Sequence, residues 1–208
     1  MTNQYHFQCA ALLTALCLAS TGTAFASGEQ LHLRGEITSI SDNSLTIKAR
    51  NGKTTTIQFS ESLQIHDVSR TDLSAISENS YVGVAAAPAA NGKVKALGVM
   101  VFPEGARGLN EGHFPWDLQK KSTMTNATVV KLLKKRSGAN AELEVRYGGK
   151  IQKIAIDHST SIGQFVPGQR TLLVKGAKVV VFANASEGAL PPMAGIVMVG
   201  KDGFIPPL

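Results

Sequence analysis

From Leu31 onward, apolar and polar positions alternate in short runs separated by Gly, Pro, Asn, Asp and Ser. A period of two over such lengths predicts half-buried β-strands rather than helices. In "SLTIKARNGKTTTIQF", Leu45 and Ile47 share one face, as do Thr55, Ile57 and Phe59. A two-residue Asn51-Gly52 turn would pair Ile47 with Thr56 and set the two apolar sets on opposite faces. The pattern therefore predicts a three-residue, bulged loop with Gly52 at positive φ, where a Cβ is costly. "AELEVRYGGKIQKIAI" differs: a two-residue Gly148-Gly149 turn aligns Leu143 with Ile154 and Val145 with Gln152, keeping Leu143, Val145, Ile154 and Ile156 on one face.

The pattern occurs twice. "TIQFSESLQI" matches "KIAIDHSTSI", and "YVGVAAAPAANGKVKALGVMV" matches "KVVVFANASEGALPPMAGIVMV". Each half runs strand, hairpin, short crossing segment, hairpin over about 75 residues, and such a period generally marks one structural unit copied. A sheet of a few short strands has two edges and one apolar face, and closure into a small barrel removes most of that exposure. The predicted fold is all-β, two tandem small OB-like β-barrels related by internal duplication. The first repeat spans 31–104, a Gly/Trp connector 105–122, and the second repeat 123–205. "SRTDLSAISENS" reads as a single 3₁₀ turn started by Asp72 and plugging a barrel end, with "PGQRTLLVKGA" its counterpart. The rival arrangement is one sandwich built from both halves.

The first 26 residues do not share this pattern. An apolar run from Cys9 to Ala19 leads to Ala24-Phe25-Ala26, the A-x-A spacing of a cleavage site, so residues 1–26 read as a cleaved signal peptide and the protein as periplasmic or secreted. The segment departs from the usual pattern in lacking Lys and Arg before the apolar run. It is too short for a membrane span, which needs roughly 20 apolar residues, and no later stretch is long enough, so no transmembrane segment is expected in the mature chain. Both cysteines, Cys9 and Cys17, fall inside it. Cleavage would leave neither a disulfide, nor a thiolate nucleophile, nor a Cys-based zinc site. Leu16 and Thr14 speak against lipid attachment at Cys17.

At "VGVAAAP", "VFPEGARGLNEGHFPWDL", "STMTNATV" and "GKDGFIPP" the chain resembles a family of exported bacterial proteins with small OB-like β-barrel repeats and no established activity, sometimes labelled metal transporter permeases. The resemblance covers nearly the whole chain after residue 26 and implies fold and compartment. It carries over no catalytic residue. A permease role conflicts with the lack of any apolar stretch able to cross a bilayer.

Charge adds a local feature. The chain has 21 basic and 15 acidic residues, a formal charge of +6. Lys120, Lys121, Lys131, Lys134, Lys135 and Arg136 alone equal that surplus, with no carboxylate among them. "VVKLLKKRSG" reads as a solvated strand and turn with Val130, Leu132 or Leu133 inside. The alternative is a basic patch binding an anionic envelope polymer, such as lipopolysaccharide phosphates, in a salt-dependent way. Export makes nucleic acid an unexpected partner.

"RGLNEGHFPWDL" holds the only Trp of the chain. Its glycines and Pro115 suit a connector, with Phe114 and Trp116 tucked between barrels and Asp117 and Glu111 satisfying backbone amides or pairing with Arg107. The functional reading makes it the wall of a cleft. Phe114 and Trp116 would then present flat surfaces, and Arg107, Glu111, His113 and Asp117 directional hydrogen bonds, to an envelope component or protein partner. Glu111, His113 and Asp117 are a conceivable metal trio, but no H-x-x-x-H or H-E-x-x-H spacing supports them, and His32, His66 and His158 are scattered. "DHSTS" puts Asp157 and His158 on opposite faces of a strand end, unsuited to triad chemistry, and a turn held by Asp157, Ser159 or Thr160 is the simpler role. We therefore expect no catalytic residue, metal or cofactor, and a non-enzymatic exported protein engaging its partner at the inter-barrel groove. The alternatives are a periplasmic metal-binding accessory protein and a hydrolase.

Overall fold

The computed structural model describes residues 29–134 and 140–208. The segment read as a signal peptide lies outside them, as do Lys135 and Arg136. Twelve strands account for most of the rest: β1 Gln30–Ile40, β2 Ser44–Lys48, β3 Thr54–Thr71, β4 Tyr81–Pro88, β5 Val94–Val101, β6 Gly112–Pro115, β7 Thr123–Lys134, β8 Ala141–Tyr147, β9 Lys150–Ile156, β10 Ser161–Pro167, β11 Lys178–Asn184 and β12 Met193–Gly200. The chain is all-β, and no helix among the described residues is long and apolar enough to cross a membrane.

Hairpin registers follow the alternation. Ile47 lies opposite Thr55 and Leu45 opposite Ile57. The Ala49 N–H donates to the Lys53 carbonyl at 2.9 Å, which leaves the three-residue loop Arg50-Asn51-Gly52, and Gly52 has φ +83°. In the second hairpin Leu143 lies opposite Ile154 and Val145 opposite Gln152. Gly148 and Gly149 there have φ of +49° and +77°, the two positive values a tight twist-matched turn requires. Asp72 caps a 3₁₀ turn at Leu73–Ala75, its carboxylate accepting from the Ser74 N–H at 2.7 Å. A second such turn spans Arg170–Leu172.

The partnership of the hairpins differs from the expected division at 31–104 and 123–205. β1, β2 and β3 close into a five-stranded barrel with β12 and β11 from the far end of the chain, through antiparallel β1–β11 and parallel β3–β12 pairing. Hairpin β4–β5 instead joins β7, β8 and β9, a circuit completed by one bridge between Lys95 and Ala155. β10 lies between β3 and β5 and links the two groups, while β6 pairs with β7. Alternation fixes which face a hairpin buries and its internal register. It cannot choose between two hairpins of the same pattern, and here each crosses to the other half.

Register irregularities occur in both groups of strands. The β1–β2 ladder slips between Ile37 and Ser39, and the β7–β8 ladder between Val129 and Lys131. On β3, pairing with β12 jumps from Ala194–Phe59 to Ile196–Gln64. β5 likewise pairs Lys95 with Ala155 and resumes at Gly98 with Ser161.

Three apolar cores result. Ile37, Leu45, Ile57, Val181 and Val197 fill the first barrel, and Val82, Val84, Val129, Leu143 and Ile154 the second group. The third core forms the seam, where Val68, Ala85, Met100, Met124, Phe165, Val180, Met198, Phe204 and Leu208 meet from both sides. Strands such as β4 and β11 bury both faces, which is why they read as continuous apolar runs. Each fully buried aliphatic side chain is worth about 1.5–3 kcal/mol, so the seam is a substantial contributor to stability.

Candidate functional site: the seam between the two strand groups

The strap from Arg107 to Leu118 is fastened at each step. Arg107 forks onto Glu104 at 2.5 and 2.7 Å and donates to the Asn79 carbonyl at 2.7 Å. The Tyr81 hydroxyl donates to the Leu109 carbonyl at 3.0 Å, and burial, aided by the Glu111 charge, pushes its pKa up to about 12. Asn126 donates to the Asn110 carbonyl at 3.1 Å, and Glu111 accepts from the Gly148 N–H at 2.9 Å. Residues 112–115 then run antiparallel to β7, Gly112 opposite Asn126 and Pro115 opposite Thr123. His113 Nδ1 is 2.8 Å from Thr125 Oγ1, and its ring stacks on Tyr147 with centroids 5.6 Å apart.

The strap then leaves β7 and reaches the first barrel. Trp116 lies against His32 of β1 with centroids 4.0 Å apart, and is flanked by Phe182 of β11 at 6.2 Å and Phe114 at 6.1 Å. Asp117 takes a two-pronged pair from Arg34 of β1, at 2.7 and 3.1 Å, with His32 Nδ1 at 3.3 Å. This fork geometry is the strong form of an arginine–carboxylate contact. Burial pulls the His32 pKa below its ordinary value, with Asp117 opposing and Arg34 reinforcing the shift. Burial raises the Asp117 carboxyl, but the Arg34 hydrogen bonds and the charges of Arg34 and His32 outweigh it and leave the group below the usual range. His32 Nε2 and Trp116 Nε1 are buried with no hydrogen-bond partner among the described residues.

The predicted strap residues are thus brought to one ribbon but not to one point. Phe114, Trp116 and Asp117 meet at the seam, whereas Arg107, Glu111 and His113 each serve a separate anchor along the second group of strands. Glu111, His113 and Asp117 do not converge, and no three His, Cys, Asp or Glu among the described residues group as metal ligands. Reasoning from sequence missed His32 and Arg34. Their signal was faint: two cationic-capable residues two apart on β1, both on the face opposite inward Leu33.

The basic stretch also rearranges. Lys121 lies in the turn before β7 and Lys131 eight positions beyond the first residue of that strand, roughly 27 Å along it at the usual rise, so the described lysines make no single face. Lys131 sits opposite Glu144 in the β7–β8 ladder, and Lys153 pairs with Glu144 at 3.0 Å, so β8 supplies the carboxylates that the stretch itself lacks. Lys134 ends β7. Leu132 packs on the second core while Leu133 stays exposed. Asp157 makes the predicted turn, accepting from the Ser159 N–H at 2.9 Å and the Ser159 hydroxyl at 2.6 Å. Its Oδ2 is 2.7 Å from Lys95 Nζ, and these hydrogen bonds hold its carboxyl far below the ordinary range.

Residues 204–208 complete the seam. Phe204, Pro206, Pro207 and Leu208 are buried there, while Ile205 is 48% exposed. Arg34 Nε donates to the Leu208 carbonyl at 2.6 Å, so one guanidinium holds both the strap and this segment. Two open concavities, of about 540 and 500 Å³, share Arg70, whose guanidinium lies 4.9 Å over the Phe204 ring. The second of them opens at Lys201–Phe204, where the segment enters the groove.

Comparison with known protein families, with curated proteins and with solved structures gives no match to this chain. Its chemistry is therefore read from its own geometry.

Proposed function

We propose that this is an exported, non-enzymatic binding protein that engages a protein partner at the groove between its two barrels. One observation carries the reading: the seam takes in two extended, non-barrel segments, the strap end at Phe114–Leu118 and residues 204–208. A junction that accepts peptide backbone between two rigid bodies has the form of a peptide-binding site. The strap locks the barrels at a fixed angle, so a partner meets a preformed surface and loses less free energy in ordering it. Asp157 and His158 speak against hydrolysis, since the first is engaged by Lys95 and Ser159 and the second is exposed. The spread of Lys120, Lys121 and Lys131 favours a protein partner over an anionic envelope polymer.

The two halves are read as copies of one unit whose second hairpins have changed places. Support comes from the matching register slips at Ile37/Ser39 and Val129/Lys131 and from the matching jumps of β12 and β5. Export and the family resemblance rest on the residue patterns described above. Fusion of residues 1–28 to a reporter active only outside the cytoplasm tests export: secretion of the reporter is expected, and retention would overturn it.

Binding is tested by selecting a random displayed-peptide library on the full chain, beside titration with lipopolysaccharide-bearing vesicles. Enriched peptides whose binding is lost in Gly98→Val, a seam substitution, are expected, with vesicle uptake no greater than for neutral vesicles. Salt-sensitive vesicle uptake with no enriched peptide would overturn the reading.

A further inference from the structure

Residues 204–208 sit in a groove cut to receive them. An added Cβ on Gly98 of β5 would lie 2.2 Å from the Pro207 carbonyl oxygen and 2.7 Å from Pro207 Cβ. One on Gly200 would come within 1.7 Å of the Phe204 carbonyl oxygen and 3.2 Å of Pro206 Cδ. One on Gly163 of β10 would meet Phe204 at 3.0 Å and Pro207 Cδ at 3.3 Å. None of the three is among the glycines with positive φ, so backbone conformation does not demand glycine there. Close approach of the segment does, through its backbone at Gly98 and Gly200 and through the Phe204 and Pro207 side chains at Gly163.

The segment is held without a strand ladder. Among the described residues its backbone bonds are at its two ends, Phe204 N–H to the Lys201 carbonyl at 2.9 Å and the Leu208 carbonyl to Arg34 Nε at 2.6 Å. Between them Pro206 and Pro207 have no N–H, so they enter an apolar groove without leaving a donor unpaired. Phe204 and Leu208 are the side-chain anchors, 6% and 5% exposed, with Ile205 turned outward. Docking of an extended, preformed peptide through its apolar side chains is how proline-rich segments are commonly recognised. The chain enters through Asp202 and Gly203, at φ of +49° and +75°, beside the 500 Å³ concavity.

We propose that the inter-barrel groove recognises an extended aromatic-x-Pro-Pro-Leu segment of a partner protein, and that residues 204–208 occupy it in cis until displaced. Resting on the binding reading above, this adds the chemistry of the partner. Phe204 marks an aromatic pocket, Gly98, Gly163 and Gly200 select flat prolines, and Arg34 reads the final carbonyl. Because the tethered segment competes at an effective concentration on the order of millimolar, the native chain binds such a peptide weakly and a chain with a weakened segment binds it well.

The test is calorimetric titration of the full chain, as wild type, Phe204→Ala and Leu208→Asp, with the blocked peptide Gly-Phe-Ile-Pro-Pro-Leu. Both variants are expected to bind in the micromolar range and at least tenfold more tightly than wild type. Replacing both peptide prolines by alanine should weaken binding at least tenfold, and adding Gly98→Val to Phe204→Ala should abolish it. Folded variants that bind no peptide, or wild type binding equally well, would overturn the proposal. So would loss of folding in both variants, which would make the segment an inseparable part of the core. A wild-type dimer that forms on concentration and is lost in Phe204→Ala would assign the groove to a second copy and overturn the partner-protein assignment. If the library returns groove-dependent peptides without proline, the binding reading stands and this inference fails. If it returns none, both fail.

Discussion

The strap and residues 204–208 fill one seam and are held by opposite means. The strap is built into the sheet, residue against residue along β7, and its exit is fixed by Asp117 forked onto Arg34. Residues 204–208 have no ladder, two prolines and glycine walls. Both bury aromatic side chains, so apolar area alone does not distinguish them. Backbone hydrogen bonding does: opening the strap breaks a strand pairing, while opening the segment breaks a bond at either end and exposes apolar surface.

The largest effect that separates them is expected from Trp116→Ala. Trp-to-Ala changes in cores cost about 3–5 kcal/mol, and half-buried Trp116, packed on His32, Phe114 and Phe182, belongs at the lower end of that range. A loss of about 3 kcal/mol in denaturant unfolding is expected, shared by the barrel and the second group of strands in one transition. A loss below about 1 kcal/mol would show that the strap does not hold the seam. Phe204→Ala comes next. Although Phe204 is a buried member of the third core, its loss is expected to stay under about 2 kcal/mol, because the segment releases instead of leaving a cavity in a rigid core.

Much of this architecture was legible from residues. Alternation and turn chemistry set both hairpin registers, the positive φ at Gly52 and the Asp72-capped turn, since each depends on neighbours in sequence. The pairing of each hairpin with the other half of the chain was not legible, because β4 and β11 carry the same apolar pattern and either would cover either group of strands. The seam was legible in part. Trp116 stood out by its composition, but His32, Arg34 and Gly98 acquire their roles only through partners far along the chain. The basic run misled for a related reason: Lys120 and Lys121 stay in the turn before β7 while Lys131 lies far along that strand, where Glu144 reaches it from the next one.

Acid provides a smaller effect. Burial lowers the pKa of His32 under the strap, and burial likewise lowers that of His66, which packs edge-on to Phe165 at 4.8 Å. Folded values below the ordinary 6.5 mean that the unfolded chain takes up these protons first as pH falls. Stability is therefore full above about pH 6.5 and declines as pH drops toward the folded values. Melting at pH 8 and pH 5 should show this loss, and His32→Gln should remove part of it. An unchanged slope in that variant would remove His32 from the account. Asp117→Asn is the mildest change. Its carboxylate side chain is 49% exposed, and pairs of that kind contribute about 1 kcal/mol or less. Thermal melting should fall slightly at neutral pH, and the difference from wild type should vanish in strong acid, below the lowered Asp117 pKa.

The decisive measurement is the rate at which a buried thiol reacts. With Cys9 and Cys17 changed to Ser, Leu208→Cys places a thiol in the segment and Ala127→Cys one within β7, the strap-bearing strand, both in sites under 6% exposed in the native protein. The account expects Cys at 208 to be labelled at least a hundredfold faster than Cys at 127 under native conditions, with 127 reacting only as fast as the whole protein unfolds. Equal rates at the two sites would mean that residues 204–208 never leave the groove on their own, and would contradict the claim that it is a recognition site.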